Sequence, residues 1–327
     1  MYNLPKWHKD RFRILPDSKL LEELTKEMVD STLEHGKPAH FWMLPPEFTF
    51  SEMQKVLHAW CGSVGELLLA NAEKITEVSG SESIAKDLYE FVKTIDHLGV
   101  TENITFQDLV NKNWRYMDIG TLMDMLLLTA FIDIRRKSGI KILEVGGGFG
   151  RLAEFLFLSS NANIQYVNID AVPVSLMYSY LYLKKMFPNK KVCIKTNHSL
   201  IEDKCDILVL PAWHMHNIGN NQFDLTVNIE SMQEMNQELV DFYLKYLNQA
   251  TCSNGLIYLV NSRDYKFKGI WNIPENWKCV LRHRTPRSWS RNHPVEMFIK
   301  TSRPMLKDNI IREAFYKREL KNCQNVA

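Results

Sequence analysis

The amino-acid sequence predicts an α/β fold in which a doubly wound, seven-stranded and mostly parallel sheet follows a helical N-terminal region. Short apolar runs alternate with helical stretches from about Ile140 onward, which is typical of parallel α/β proteins. The last two runs lie close together and suit an antiparallel pair, because a parallel crossover needs a dozen or more residues. Before Lys137, apolar residues recur at helical spacing between proline and glycine breaks, which predicts the helical region.

Several helices are expected in the N-terminal half. Asp17 and Ser18 can cap the first, which runs to about Glu34, because both residue types accept hydrogen bonds from a first helical turn. The others are expected at about 51–75, 82–98 and 118–136. The chain is therefore divided into a helical region (1–137) that is expected to help to shape a binding site, an α/β domain (138–303) and a C-terminal helical tail (304–327).

The sheet is expected to contain five parallel strands and a terminal antiparallel pair. Each candidate is a short apolar run bounded by turn residues or by a helical stretch. The candidates are 141–145, 165–169, 206–210, 224–228, 256–261, 278–283 and 296–300. Ligands of open α/β sheets bind outside the carboxyl ends of the strands. The residues that follow each run are therefore candidates for a functional site.

Composition narrows the class of protein. The 40 Lys and Arg nearly balance the 38 Asp and Glu, so no broad positive field favours nucleic acid as a partner. The six cysteines are scattered singly, which favours reduced thiols. A signal-peptide core and an apolar run of membrane-spanning length are both missing. We expect a cytoplasmic protein without membrane insertion, and a homodimer is left open.

A glycine-rich loop follows the first predicted strand. Residues 146–150 read Gly-Gly-Gly-Phe-Gly and open a predicted helix. Glycines allow a tight turn and a close approach to a ligand, and the helix N-terminus offers unpaired N–H groups. Starting at Gly148, with Gly150 third and Ala153 sixth, the weaker form of the dinucleotide fingerprint is complete. A dinucleotide therefore stays open as the minor alternative.

A second register of the same loop includes an acid. It runs Glu144, Gly146, Gly148, Gly150 and resembles the first motif of class I S-adenosylmethionine-dependent methyltransferases, which have a Rossmann-like fold. The resemblance implies that the glycines pass beside the methionine part of the cofactor and that Glu144 helps to hold its ammonium. It also implies that Asp170, at the end of the next strand, binds the ribose hydroxyls. A tight turn without a ligand is the alternative that the glycines alone leave open.

Residues after the third and fourth predicted strands complete the candidate cofactor site. The family places adenine contacts near the end of the third, where Trp213 stands, although an aromatic residue there is core about as often. Asn228 ends the fourth and is expected at the cofactor. Glu230 follows it and is expected to face the transferred methyl group.

The acceptor is suggested by a less specific resemblance. The segment 228–235, together with the apolar helix before the glycine loop and the last two strands, is similar to a bacterial group of sugar O-methyltransferases. This likeness implies a hydroxyl of a sugar, nucleotide sugar or glycan, as in polysaccharide biosynthesis. Left open are methyl transfer to a small amine, phenol, carboxylate or phosphate derivative, and a protein that binds S-adenosylmethionine without turnover.

A general base is expected because a sugar hydroxyl does not ionise alone at neutral pH. Glu230 and His214 are the favoured candidates, by position alone. Glu234, His216, His283 and His293 are alternatives whose ordinary explanation is a cap or a surface loop. A metal is not expected, because the chain has no Asp-Asp pair. A set of His214, His216, Glu230 and Asp264 is the remaining route to a metal.

A cationic segment separates the last two strands. It carries Arg284, Arg287 and Trp289, and arginine forks bind phosphate while a tryptophan face suits a sugar ring. These three residues are therefore the candidates for substrate binding. A solvated hairpin tip explains the segment equally well.

Overall fold

The computed structural model describes residues 17–35, 81–111, 116–134, 138–159, 163–198, 205–261, 271–285 and 293–301. The helices in these ranges are α1 Ser18–His35, α2 Ser81–Ile95, α3 Phe106–Asn111, α4 Tyr116–Phe131, α5 Arg151–Ser159, α6 Pro173–Met186 and α7 Gln237–Ala250. Two 3-10 turns, Ala212–Asn217 and Met232–Glu234, follow strands of the sheet.

One sheet organises the described residues. Its strands are β1 Ile140–Val145, β2 Ile164–Asp170, β3 Val192–Ile194, β4 Ile207–Pro211, β5 Phe223–Ile229, β6 Thr251–Val260, β7 Trp277–Thr285 and β8 His293–Lys300. They lie in the order β3-β4-β2-β1-β5-β6-β8-β7. Neighbours from β3 to β6 are parallel, and β8 runs antiparallel to β6 and β7. The predicted mostly parallel α/β fold is confirmed.

The sheet has one strand more than the sequence predicted. All seven candidate runs form strands, and β3 is the addition. It contains three residues and pairs with β4 from Val192, opposite Ile207. A run of three residues is too short to display a period of two, so pairing with a neighbour, and not the local pattern, defines this strand.

Apolar residues alternate between two layers, one on each face of the sheet. In β1, Ile142 belongs to the cluster that includes α1, α2, α4 and α6, while Leu143 belongs to the cluster that includes α7. Successive strand residues point to opposite faces, so one strand contributes to both clusters. Helices therefore cover both faces, as expected for a doubly wound fold.

The helical region matches its predicted elements where it is described. Asp17 caps α1 by accepting a hydrogen bond from the Leu20 amide at 3.0 Å. The expected helices at 82–98 and 118–136 correspond to α2 and α4, and α4 ends at Phe131. The expected helix at 51–75 and the C-terminal tail lie outside the described residues. Within the described ranges, the helices lack the combined length and apolar character that crossing a bilayer requires.

The cysteines differ from expectation in one respect. Cys193 in β3 and Cys205 just before β4 form a disulfide, with their Cα atoms 6.1 Å apart. The prediction of reduced thiols is therefore wrong for this pair. Twelve residues separate the two positions, and parallel pairing of β3 with β4 makes them neighbours although the sequence spacing has no recognised motif. Cys252 and Cys279 are thiols outside any disulfide, and their sulfurs donate to the Asn221 and Leu281 carbonyls, respectively.

Candidate cofactor site

The carboxyl ends of the central strands meet at a switch in chain direction. β1 lies between β2 and β5, and the chain passes from β1 to β2 on one side before it returns to β5 on the other. A crevice opens at such a point, because the loops that follow the two neighbouring strands lead away from each other. The glycine loop, Asp170 and the residues after β5 all follow strands that border this crevice.

The glycine loop adopts a backbone that its sequence register anticipates. Gly146, Gly148 and Gly150 have positive φ values of 73°, 56° and 92°, which side chains rarely tolerate. The Gly146 amide donates to the Ile169 carbonyl at 2.7 Å and so anchors the loop to β2. A Cβ on Gly148 would have no heavy atom within 4 Å. Open space therefore adjoins the middle of a loop that is otherwise packed.

Asp170 ends β2 directly beside this loop. One carboxylate oxygen accepts from the Gly148 amide at 3.1 Å, and the other accepts from the Val172 amide at 2.9 Å. Burial raises the pKa of Asp170 to about 6, against the lowering effect of these backbone donors. Each carboxylate oxygen has a second lone pair, so hydroxyl donors of a ligand can be accepted without displacing the loop.

Glu144 lies beneath the loop. Its carboxyl is buried and accepts a short hydrogen bond from the Tyr166 hydroxyl. Burial raises its pKa to about 7, although the bond from Tyr166 opposes the shift. The carboxyl therefore loses its proton near neutrality. Its predicted contact with the cofactor ammonium stays a prediction, and Tyr166 is a partner that the sequence did not reveal.

Asn228 is a fully buried clamp at the end of β5. Its amide nitrogen donates to the Val145 carbonyl at 2.8 Å and to the Ser231 hydroxyl at 2.6 Å. Its oxygen accepts from the Met232 amide at 3.3 Å and from the Asn261 amide group at 2.9 Å. These four bonds use its full capacity. A cofactor contact would replace one of them, so its predicted binding role stays a prediction.

Glu230 follows β5 at the carboxyl edge. Its φ is 57°, in the left-handed region, and its amide donates to the Val260 carbonyl at 2.7 Å. A non-glycine residue in this region costs about 1–2 kcal/mol, and such residues cluster at functional sites. The bond to β6 fixes the turn, which carries the half-buried Glu230 side chain past the end of the sheet.

Trp213 and His214 lie in the 3-10 turn after β4 and both contact helix α1. The Trp213 indole nitrogen donates to Glu27 at 3.1 Å, and His214 Nε2 lies 3.1 Å from the same oxygen. Both side chains are buried. Glu27 was not predicted, although its position between the buried Leu24 and Met28 is an available signal, since a carboxylate on an apolar helix face needs partners.

The remaining candidates are dispersed. His216 is exposed, and the His283 ring stacks on Phe91 with centroids 5.2 Å apart. Arg284 pairs with Pro294 across β7 and β8, which puts its backbone at the carboxyl edge. Outside the described residues lie Arg287, Trp289 and Asp264, and the side chains of Glu234 and His293 are likewise undescribed. Among described side chains, no three His, Cys, Asp or Glu residues form a cluster that could hold a metal.

No protein-family profile matches the chain, and a search of curated proteins found no relative. Solved structures do match. TrmN from Thermus thermophilus is 14% identical with a TM-score of 0.40, and the match covers 55% of this chain and 48% of that chain. The chain therefore spans about half the length of that protein.

Two further solved structures are similar at the same level. A TehB-like S-adenosylmethionine-dependent methyltransferase from Corynebacterium glutamicum is 16% identical over 54% of this chain and 92% of its own, with a TM-score of 0.36. An S-adenosylmethionine-dependent methyltransferase from Aquifex aeolicus is 12% identical over 65% and 98%, with a TM-score of 0.38. Likeness this distant says nothing of ligand or substrate, and the chain's own residues must carry any assignment of either.

Proposed function

We propose that the chain binds S-adenosylmethionine at the carboxyl edge of the sheet and transfers its methyl group to a hydroxyl of a sugar, nucleotide sugar or glycan. The observation that carries the proposal is the hydrogen bond from the Gly148 amide to Asp170. It joins the glycine loop after β1 to the acid after β2 at a topological switch point, where nucleotide ligands of such sheets bind.

The residues of the crevice fit this cofactor. The glycine loop borders open space at Gly148, where the methionine part would lie. Asp170 would accept the ribose hydroxyls, and the turn Ala212–Asn217 would close the adenine end. When bound, the cofactor supplies a sulfonium-activated methyl group. Asp170 would accept these hydroxyl groups best as a carboxylate. Because its raised pKa of about 6 is still below neutral pH, the carboxylate is the dominant form there.

Glu230 is assigned as the general base. The bound cofactor would supply its methyl group to the acceptor oxygen as the carbon–sulfur bond breaks, and the Glu230 carboxylate would take the hydroxyl proton. The products are a methyl ether and S-adenosylhomocysteine. Glu230 is preferred because it follows the strand at the switch point, whereas His214 Nε2 faces Glu27. His214 is therefore assigned to holding the turn after β4.

An anionic sugar derivative is the favoured acceptor. The backbone of Arg284 lies at the carboxyl edge, opposite Pro294. Arginine is the residue that pairs bidentately with phosphate and carboxylate groups, so an arginine at this backbone position favours an anionic acceptor. Transfer to a small amine, phenol or carboxylate, and binding without turnover, are the outcomes that an acceptor panel would reveal.

Isothermal titration with S-adenosylmethionine and, separately, NAD tests the cofactor. We expect binding of the methyl donor that is weakened at least tenfold by Asp170→Asn, since an amide nitrogen replaces one accepting oxygen. Asp224→Asn is the matched control, because Asp224 also accepts a backbone N–H, from Lys141 at 2.9 Å, but at the amino end of β5. Binding of NAD without binding of the methyl donor would overturn the proposal.

Transfer of a labelled methyl group to a panel of acceptors tests the reaction. Glu230→Gln should lower kcat by about 10²–10⁴-fold, the range for a lost general base, while affinity for S-adenosylhomocysteine is retained. The exposed Glu275→Gln serves as control. Full turnover by Glu230→Gln would show that Glu230 is not the general base. Turnover confined to amines or phenols would show that the acceptor is not a sugar.

A further inference from the structure

A single buried carboxylate connects helix α1 to two loops of the sheet. Glu27 accepts hydrogen bonds from the Asn197 amide at 2.5 Å, from the Trp213 indole at 3.1 Å, and shares a hydrogen bond with His214 Nε2 at 3.1 Å. Asn197 follows β3, and the other two belong to the turn after β4. One side chain from outside the sheet therefore ties together the loops of two neighbouring strands.

One of these loops, the turn after β4, lies next to the proposed ribose acid. Pro211, the last residue of β4, is paired with Asp170 in the parallel register of β4 with β2. The turn begins at the next residue, Ala212. Any movement of this turn would therefore change the wall of the crevice immediately beside Asp170, at the end where the nucleoside base would lie.

The energetics of Glu27 favour a fixed geometry. Burial raises the pKa of its carboxyl, but hydrogen bonds from His214, Asn197 and Trp213 lower it by more, so the net pKa lies below the ordinary value. The folded protein therefore favours the deprotonated form of Glu27. A buried charge is tolerated when its lone pairs are satisfied, and removal of one partner leaves the others unsatisfied.

We infer that Glu27 is a positioning residue for the adenine end of the cofactor site, and that α1 is consequently part of that site. The inference rests on the proposed function. Glu27 touches neither the cofactor nor the reacting atoms. It acts by holding the turn that begins at Ala212 against α1, and so sets the affinity for adenosine-containing ligands.

Glutamine is the informative replacement at this position. It keeps the length and volume of the side chain, but one of its two terminal groups becomes a donor. In one orientation the new NH2 faces the Asn197 amide, and in the other it faces the Trp213 indole N–H. In either orientation, the NH2 donor of glutamine faces another N–H donor and no hydrogen bond can form between them. The turn is therefore released, while the packing of α1 is retained.

The test is titration of the full chain with S-adenosylhomocysteine. Glu27→Gln should weaken binding about tenfold, which corresponds to one lost charge-assisted hydrogen bond. The effect should shrink when Trp213→Phe is already present, because the two changes release the same turn. Glu22→Gln, an exposed acid on the same helix, should have no effect.

A stability control separates positioning from general weakening. Leu88→Ala removes a fully buried side chain from α2, which packs against α4, so it should lower stability without lowering affinity. If the wild type binds no S-adenosylhomocysteine, the proposed function fails and this inference with it. If the wild type binds and Glu27→Gln binds within twofold of it, only the inference fails.

Hydrogen exchange of the wild type covers the case in which Glu27→Gln does not fold. Saturating S-adenosylhomocysteine should slow exchange in both Ala212–Asn217 and the second half of α1, because the ligand stabilises the turn and the turn is bound to Glu27. Protection of the turn with unchanged exchange in α1 would overturn the inference while leaving the cofactor site intact.

Discussion

Gly147 is required for a steric reason, unlike Gly148, which follows it. A Cβ at this position would collide with the side-chain oxygens of Asn168 and Glu144. Asn168 is fully buried, and its oxygen has no hydrogen-bond partner among the described residues. The loop therefore packs directly onto two polar side chains, and neither can withdraw without leaving its own hydrogen bonds to Ser179 or Tyr166.

Alanine at Gly147 should mainly reduce stability, whereas alanine at Gly148 should mainly reduce ligand affinity. Gly147→Ala should lower the free energy of unfolding by about 3 kcal/mol, the upper range for overpacking. Gly148→Ala should lower the free energy of unfolding by about 1 kcal/mol, because alanine is strained at a positive φ. It should weaken ligand binding more than Gly147→Ala does, because its Cβ would occupy the open space in which the ligand is proposed to lie. Chemical denaturation and titration with S-adenosylhomocysteine measure the two effects. Equal stability losses would contradict the packing described for Gly147.

Glu144 should make the stability of the protein depend on pH in an unusual direction. Its folded pKa of about 7 exceeds the ordinary value of 4.5 because of burial, so the folded state binds a proton more tightly than the unfolded state. This contribution to stability is complete below pH 4.5 and is lost as pH rises through 7. Asp170, raised to about 6, acts in the same direction.

Glu144→Gln isolates this effect. Between pH 6 and pH 8 the wild type should lose about 1 kcal/mol of unfolding free energy through Glu144, and the variant should lose correspondingly less, because glutamine stays neutral. Denaturation at both pH values gives the difference. The exposed Glu275→Gln is the control, and an unchanged slope in Glu144→Gln would show that the carboxyl is not the titrating group.

The sequence was informative about residues whose role depends on local order. The register from Gly146 to Gly150 predicted a tight turn between strand and helix, and the positive φ values of its glycines are how the backbone makes that turn. Asp170 was predicted because it ends the next strand. Glu27 was not, since its partners lie 170–187 residues away. The apolar neighbours Leu24 and Met28 indicate a buried carboxylate, but they do not indicate which residues it contacts.

At the scale of elements, an amide network holds the carboxyl ends of three strands together. Asn228 of β5 bonds to the Val145 carbonyl of β1 and to Asn261 after β6. The Asn261 oxygen in turn accepts from the Gln233 amide at 3.1 Å. The strands themselves were predictable from apolar runs. Their cross-connection was not, because asparagine at a strand end is equally consistent with a ligand contact.

Asn228→Asp should disrupt this network. The new oxygen would face the Val145 carbonyl in place of an N–H, and a buried charge would lack a partner, so we expect a loss of about 3 kcal/mol in unfolding free energy. Asn254→Asp is the matched control, since Asn254 is exposed and has a φ of 64°, which aspartate tolerates. Comparable losses of unfolding free energy in both variants would show that the hydrogen bonds of Asn228 do not stabilise the fold.

At the scale of the whole molecule, the helical region and one face of the sheet share a single hydrophobic cluster. Leu24, Leu88 and Leu122, from three helices before β1, belong to the same cluster as Ile142 and Tyr166 of the sheet. Stability of the helical region and of that face should therefore be coupled. A chain of 327 residues is long enough to bury a core of this size, but its length does not indicate which helices complete that core.

The disulfide between Cys193 and Cys205 should contribute to this global stability. Closing a loop of this size restricts the unfolded chain and is worth about 3 kcal/mol. Thermal unfolding with and without reductant should therefore differ for the wild type. The double variant Cys193→Ser/Cys205→Ser should unfold at the reduced wild-type temperature and be insensitive to reductant. A wild type that melts at the same temperature in both conditions would argue against the bond.

The docking of α1 also has a consequence during synthesis. Glu27 leaves the ribosome long before His214, its buried partner 187 residues later. At roughly 5–20 residues per second, translation of that interval takes about 10–40 s. During this time the Glu27 carboxylate has neither Trp213 nor His214 as a hydrogen-bond partner. The hydrogen bonds that fix α1 to the turn after β4 can therefore form only tens of seconds after the helix itself has been made.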